Sequence, residues 1–196
     1  MIIGGSVVAD LRALTQLGGY LIMNNRTLSR TPVLVVMGPS GSGKSTVAGL
    51  LAGQLGWDLE EGDILHPTEN VEKMSAGHPL TDEDRWPWLD TIASWIFEHV
   101  LAGRPGVITC SALKRKYRNV LRADGVVFVH LRGTRELISD RMVSRVGHYM
   151  PPALLDSQFD AFEPLGDDED GLVVDVVKKP AELASEIIER LDLAKA

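Results

Sequence analysis

The residues with the clearest chemical meaning form one glycine-rich loop. The pattern G-x-x-x-x-G-K-[ST] is matched at every required position by Gly38, Pro39, Ser40, Gly41, Ser42, Gly43, Lys44 and Ser45, with Thr46 following. Glycines allow unusual backbone torsions, so that several N–H groups converge on one anion at the positive end of a helix. In this pattern Lys44 reaches the β- and γ-phosphates of a nucleotide and the Ser45 hydroxyl coordinates Mg²⁺. The motif therefore predicts ATP and Mg²⁺ as cofactors.

Two carboxylates follow the second predicted strand. Glu61 and Asp63 are separated by one residue, and at this spacing two side chains of an extended segment point the same way. We expect Glu61 to hold the Mg²⁺ shell through water. We expect Asp63 to accept the proton of an acceptor hydroxyl as this group attacks the γ-phosphate. An exposed acidic turn is the alternative interpretation.

The elements that must position these groups alternate between strand and helix from Pro32 onward, as in a parallel sheet with crossover helices. The predicted strands are 33–37, 57–60, 107–110, 126–131 and 172–176. The predicted helices are 44–55, 68–74 (capped by Thr68), one that begins at a capping-box pattern at Thr81, 114–121, 134–145 and 181–193. We predict an α/β fold of the P-loop NTPase type, a three-layer sandwich in which a five-stranded parallel sheet has helices on both faces. The Gly/Pro-rich loop 147–152 would supply a short lid.

Composition and missing motifs exclude several classes of protein. The formal net charge is -7, which argues against nucleic acid as a partner. Cys110 is the only cysteine, so no internal disulfide is possible, and no apolar run reaches the ~18 residues of a membrane span. We therefore expect a cytoplasmic protein that binds neither nucleic acid nor membrane. A GTPase would need N-K-x-D, which is absent, and the strand 107–110 ends without the acidic residue of motor ATPases.

Several further segments resemble the gluconokinase family. They are 62–67 (GDILHP), 70–74 (NVEKM), 77–89 (GHPLTDEDRWPWL), 110–114 (CSALK), Tyr117-Arg118, 147–150 (GHYM), Gln158-Phe159 and Glu163-Pro164. The resemblance covers about residues 33–191. It implies transfer of phosphate from ATP to D-gluconate, giving 6-phospho-D-gluconate and ADP, with dependence on Mg²⁺ and commonly a homodimer. Residues 31–196 would form the kinase domain, and residues 1–30 an N-terminal extension of unknown role.

Gluconate carries a carboxylate, so its site needs cations as well as a base. The basic residues that we expect to converge there are Lys73, Arg85, Lys114 and Arg118, although each alone is also typical of solvated helix surface. We expect His66 to donate to a sugar hydroxyl, and a histidine without a function in a loop before proline is the alternative.

Further basic residues are assigned to the nucleotide. Arg141 and Arg145 lie four apart on one predicted helix face before the lid, where related kinases use arginines to neutralise charge on the transferred group. Ion pairing along the helix is the alternative. Arg132 is expected near the adenine, and the acidic run 167–170 is expected to be a solvated loop.

Two rival functions stay open at this point. A kinase for another small acid or polyol would use the same base and cations. A non-catalytic regulator would use the loop as a nucleotide sensor.

Overall fold

The computed structural model describes residues 32–143 and 155–195. The predicted extension 1–30, Arg145 and the loop 147–152 lie outside these ranges. The strands are β1 (Val33–Met37), β2 (Asp58–Glu61), β3 (Gly106–Cys110), β4 (Val126–Arg132) and β5 (Gly171–Asp175). The helices are α1 (Lys44–Leu55), α2 (Thr68–Ser75), α3 (Asp82–Ala102), α4 (Arg115–Leu121), α5 (Arg135–Val143), α6 (Leu155–Ala161) and α7 (Pro180–Arg190), with a 3₁₀ turn at Gly62–Leu65.

The five strands form one parallel sheet in the order β2-β3-β1-β4-β5, which confirms the predicted architecture. β1 lies at the centre, and all five of its residues are buried. A continuous apolar run of this kind is typical of a parallel strand that is covered on both faces. Because β1 and β3 are in register from Val33 and Gly106 to Met37 and Cys110, their carboxyl ends lie at the same edge of the sheet.

Two hydrophobic clusters cover the two faces of the sheet. On one face, Leu34 and Val36 of β1 pack in a cluster with residues of α1 and α7, including Leu51 and Ile187. On the other face, Val33, Val35 and Met37 belong to a cluster with residues of α3 and α4, including Trp88, Leu89, Ile92 and Tyr117. Burial of one such aliphatic or aromatic side chain contributes about 1.5–3 kcal/mol. The sheet is thus the middle of three layers.

Local sequence signals place most helix ends correctly. The capping box at the start of α3 is confirmed, since Asp84 N donates to Thr81 Oγ1 (3.3 Å) and Thr81 N donates to Asp84 Oδ2 (2.7 Å). Thr68 is not the cap of α2, because Pro67 occupies the N-cap and Thr68 is already helical. The 3₁₀ turn and α6 were not predicted. None of the helices in the described ranges is long and apolar enough to cross a bilayer.

Candidate active site

The glycine-rich loop connects the buried strand β1 to the start of α1. Three glycines of this loop have positive φ angles, which residues with a Cβ rarely adopt. The angles are 142° at Gly38, 81° at Gly41 and 94° at Gly43. Within the described structure, no side chain caps the N-terminus of α1 and its first turn holds no acidic residue. Lys44 Nζ donates to the backbone oxygen of Pro39 (3.1 Å). The loop therefore offers backbone N–H groups and an ammonium to an anion, as the motif predicts.

A second group of contacts joins this loop to the end of β2. Ser45 Oγ donates to Glu61 Oε2 (3.0 Å), and Thr109 Oγ1 donates to the same oxygen (2.8 Å). The hydroxyl of Ser45 and the carboxylate of Glu61 are hard oxygen donors, which suit Mg²⁺ when nucleotide phosphates and water complete its shell. In the described residues no three acidic, histidine or cysteine side chains cluster as a metal site of their own. Thr109 was missed by sequence reasoning, because a threonine inside a β-branched strand gives no separate signal.

Asp63 lies in the 3₁₀ turn after β2, not on an extended segment. The extended geometry predicted for Glu61 and Asp63 is therefore wrong, because the chain turns between them. Three groups of β3 and α3 fix this turn at Gly62. Gly62 N donates to Thr109 Oγ1 (3.1 Å), Trp88 Nε1 donates to Gly62 O (2.7 Å), and a Cβ on Gly62 would lie 2.0 Å from Thr109 O.

Cys110 is buried at the end of β3, within electrostatic range of three of the expected site residues. Burial is the main reason why the pKa of the Cys110 thiol is raised to about 12, so this side chain stays protonated. The charges of Asp63, Lys44 and Arg85 act on this same thiol. The expected base, the lysine of the phosphate loop and one expected acceptor cation therefore lie around one strand end.

The first turn of α3 places carboxylates against both lysines that were expected to hold the acceptor. Lys73 Nζ lies 2.5 Å from Asp84 Oδ2, and this contact is the main reason why the pKa of Asp84 falls to about 2. Lys114 Nζ lies 3.1 Å from Asp82 Oδ1. Asp82 also accepts from Lys116 and Tyr117, which lower its pKa most strongly. Lys73 is thus paired with Asp84, whereas Lys114 shares Asp82 with Lys116.

Arg85 differs from these lysines because, within residues 32–143 and 155–195, no carboxylate lies within ion-pair distance of its guanidinium. Its side chain is partly buried, and its guanidinium carbon lies 5.7 Å from the centroid of the Tyr117 ring. Among the residues that the structure describes, no carboxylate pairs with it and no hydrogen bond engages it. A partly buried guanidinium without a counter-charge is suited to bind an anionic ligand.

Arg118 does not reach the acceptor region, which corrects the prediction for this residue. It is fully buried, and its guanidinium donates to both carboxylate oxygens of Glu169 (2.6 and 2.9 Å). It also donates to the backbone oxygens of Ala112, Leu113, Glu163 and Pro164. The acidic run 167–170 was predicted to be a solvated loop, but this is wrong for Glu169, which is buried.

His66 stacks on Trp88, with ring centroids 4.0 Å apart and planes inclined by 16°. Burial is the main reason why the pKa of His66 falls to about 4, so the ring is neutral near pH 7. Asn70 Nδ2 lies 3.5 Å from His66 Nδ1 and donates to the backbone oxygen of Asp84 (2.8 Å). His66 is therefore held in place as a neutral group of the 3₁₀ turn region.

Two of the arginines expected to serve the nucleotide, Arg132 and Arg141, lie in the described part of the chain. Arg132, at the end of β4, has a side chain that is 63% exposed and lies 3.6 Å from Asp175. Arg141 donates to the backbone oxygen of Val176 (2.6 Å). Arg145, its expected companion, lies outside the described residues.

Comparison with known proteins identifies relatives of this chain. A profile of the ABC transporter family matches residues 23–116, a stretch that contains the phosphate loop. A gluconokinase of Gluconobacter oxydans is 52% identical over 157 residues, which are 79% of this chain and 88% of that protein.

Two solved structures share the fold. A sugar kinase of Janibacter sp. is 48% identical with a TM-score of 0.79, covering 84% of this chain and 96% of its own. A gluconokinase of Sinorhizobium meliloti is 43% identical with a TM-score of 0.74, and the match covers 83% of this chain and 92% of that protein's chain. With the phosphate loop, the five-stranded parallel sheet and identities of this size over most of both chains, the chain belongs to the gluconokinase family of P-loop kinases.

Proposed function

We propose that this protein is a gluconokinase that transfers the γ-phosphate of ATP to D-gluconate, giving 6-phospho-D-gluconate and ADP. The observation that supports this most directly is the guanidinium of Arg85, which is partly buried, has no ion-pair partner among the described residues, and lies in electrostatic range of the same Cys110 thiol as Asp63 and Lys44. An acceptor that carries one carboxylate and a hydroxyl matches these groups.

The proposed reaction is an in-line transfer. The loop amides and Lys44 hold the triphosphate, and Ser45 and Glu61 would hold Mg²⁺, which neutralises charge on the phosphates. Asp63 orients the acceptor hydroxyl and takes its proton. The hydroxyl oxygen forms a bond to the γ-phosphorus as the bond from phosphorus to the β–γ bridging oxygen breaks, and ADP leaves with that electron pair.

We assign the acceptor carboxylate to Arg85 in preference to Lys73 and Lys114. Both lysines face aspartates of α3, so a carboxylate that bound them would have to displace an existing partner. His66 is neutral and suits a hydroxyl better than a carboxylate. We propose that Lys73 and Lys114 line the same pocket while they stay paired with Asp84 and Asp82.

Other assignments complete the proposal. Arg141 and Arg145 would neutralise charge on the transferred group, and Arg132 would lie near the adenine. Residues 31–196 would form the kinase domain. We also propose Mg²⁺ dependence, a homodimer and a cytoplasmic location, the last supported by the single cysteine of the chain, which excludes an internal disulfide.

The test is ADP release measured against a panel of sugar acids and polyols. Stimulation by gluconate alone supports the proposal, whereas another acid or a polyol would replace the acceptor. No turnover with any acceptor would favour a nucleotide-binding regulator. Lys44→Ala and Asp63→Ala should each abolish gluconate phosphorylation in a folded protein, and near-normal turnover of Asp63→Ala would remove this residue from the role of base.

The carboxylate assignment has its own test. Arg85→Ala should raise the KM for gluconate by about 10- to 100-fold, since a charge-assisted hydrogen bond contributes about 1.5–3 kcal/mol. The KM for ATP should stay unchanged. Arg104→Ala is the matched control. Arg104 follows the C-terminal end of α3, far along the helix from Arg85, and is an exposed residue that pairs with Asp58 of β2. An Arg85→Ala enzyme with the parent's preference for gluconate over a neutral polyol would contradict the assignment.

A further inference from the structure

Gln158 of α6 contacts the phosphate loop from a position 118 residues further along the chain. The backbone N–H of Ser40 donates to Gln158 Oε1 at 2.7 Å. Both residues are buried, with 8% of each exposed. Water is therefore not available to replace this acceptor, and a buried N–H that lost it would be left without a partner.

The next residue of the loop is held by packing. A Cβ on Gly41 would lie 2.6 Å from Met142 Cγ and 3.2 Å from Ile138 Cγ2, so α5 lies directly against the loop backbone. Ile138 and Met142 form a small buried cluster with Leu155 of α6, and Phe159 packs against it. The pair α5–α6 thus contacts the loop at two consecutive residues, once by a hydrogen bond and once by close packing.

These two contacts fix the loop immediately before the amides that bind phosphate. The motif assigns the N–H groups up to Ser45 to the nucleotide, and their directions depend on the backbone torsions at Ser40 and Gly41. We propose that Gln158 is a positioning residue for ATP, which acts by accepting from Ser40 N–H and so orients the following amides. Gln158 acts through the loop rather than on the phosphates. The proposal rests on nucleotide binding by the loop, but not on the identity of the acceptor.

The experiment is a calorimetric titration of the full chain with ATP in the absence of any acceptor. Gln158→Met keeps the length of the side chain and removes the acceptor oxygen. We expect a Kd for ATP about tenfold higher than in the parent, with an equal rise in the KM for ATP. The kcat at saturating ATP and the KM for gluconate should stay within about twofold. Asp160→Asn is the control on the same helix, since Asp160 is exposed and pairs only with Arg135 among the described residues; its Kd should not change.

An unchanged Kd for ATP in Gln158→Met would overturn the proposal. Equal rises in the KM for ATP and the KM for gluconate would overturn it as well, because they indicate general destabilisation. A second measurement uses the parent protein alone and so does not depend on the variant's folding. By NMR hydrogen exchange without nucleotide, the Ser40 amide should exchange slowly, and exchange at the rate of exposed amides would overturn the proposal. If gluconate proves not to be the acceptor, the ATP titration still decides the role of Gln158.

Discussion

Replacement of Glu169 by glutamine should destabilise the protein strongly, although the change removes one charge and almost no volume. Arg118 is fully buried and donates six hydrogen bonds, two of them to the carboxylate of Glu169. A glutamine retains one acceptor oxygen but turns the other into an N–H₂ group that faces an N–H of the guanidinium. The charge of Arg118 then stays buried without its counter-charge.

The expected loss follows from these contacts. Breaking a buried ion pair by removing one partner costs about 3–5 kcal/mol. For a chain of this size each kcal/mol corresponds to about 2–4 °C in Tm, so Tm should fall by roughly 6–20 °C. Arg118 is also the main reason why the pKa of Glu169 lies below its usual range. The stabilisation is therefore present above the ordinary carboxyl pKa and should be lost as the pH falls through the lowered one.

Urea unfolding followed by circular dichroism measures this loss, and the neighbouring residue provides a matched control. Asp168 is exposed and pairs with Arg115 and Arg122 on the surface, so Asp168→Asn should change stability little. Equal stability of the Glu169→Gln and Asp168→Asn proteins would refute the reasoning, because it would mean that the burial of the Arg118–Glu169 pair has no energetic consequence.

Three further changes test the site. Glu61→Gln should raise the Mg²⁺ concentration for half-maximal activity about tenfold, and an unchanged Mg²⁺ titration would argue against a metal role. Gly62→Ala should lower kcat and stability together, since its Cβ would lie 2.0 Å from Thr109 O; a variant with parental kcat would show that the turn tolerates movement. His66 is neutral down to about pH 4 when folded but takes up a proton below about 6.5 when unfolded, so stability should rise with pH between these values. The unfolding free energy of His66→Gln should rise less steeply there, and parallel curves for variant and parent would contradict the shift.

The sequence predicts the parts of this site that depend on local pattern. The phosphate loop, the central strand and the capping box at Thr81 each follow from residues within a few positions of one another. Ser45 and Glu61 were both predicted to serve Mg²⁺, and their hydrogen bond shows that the two residues meet at the carboxyl edge of the sheet.

What sequence reasoning missed depends on partners far apart in the chain. Arg118 and Lys114 look alike in a basic run, yet one is buried against Glu169 and the other pairs with Asp82. Nothing in the spacing of Arg85 distinguishes it from these residues. Gln158 could be noted as part of a motif, but its contact with the loop requires α6, a seven-residue helix without a strong pattern.

The acidic first turn of α3 has a consequence for what the pocket admits. Asp84 pairs with Lys73 and Asp82 is shared between Lys114 and Lys116, whereas Arg85 contributes a positive charge that has no ion-pair partner in the described part of the chain. An acceptor with a single negative charge balances it. A phosphorylated sugar acid carries up to two further negative charges on its phosphate, so we expect it to meet repulsion from the same aspartates and to bind the proposed acceptor site less tightly than the substrate.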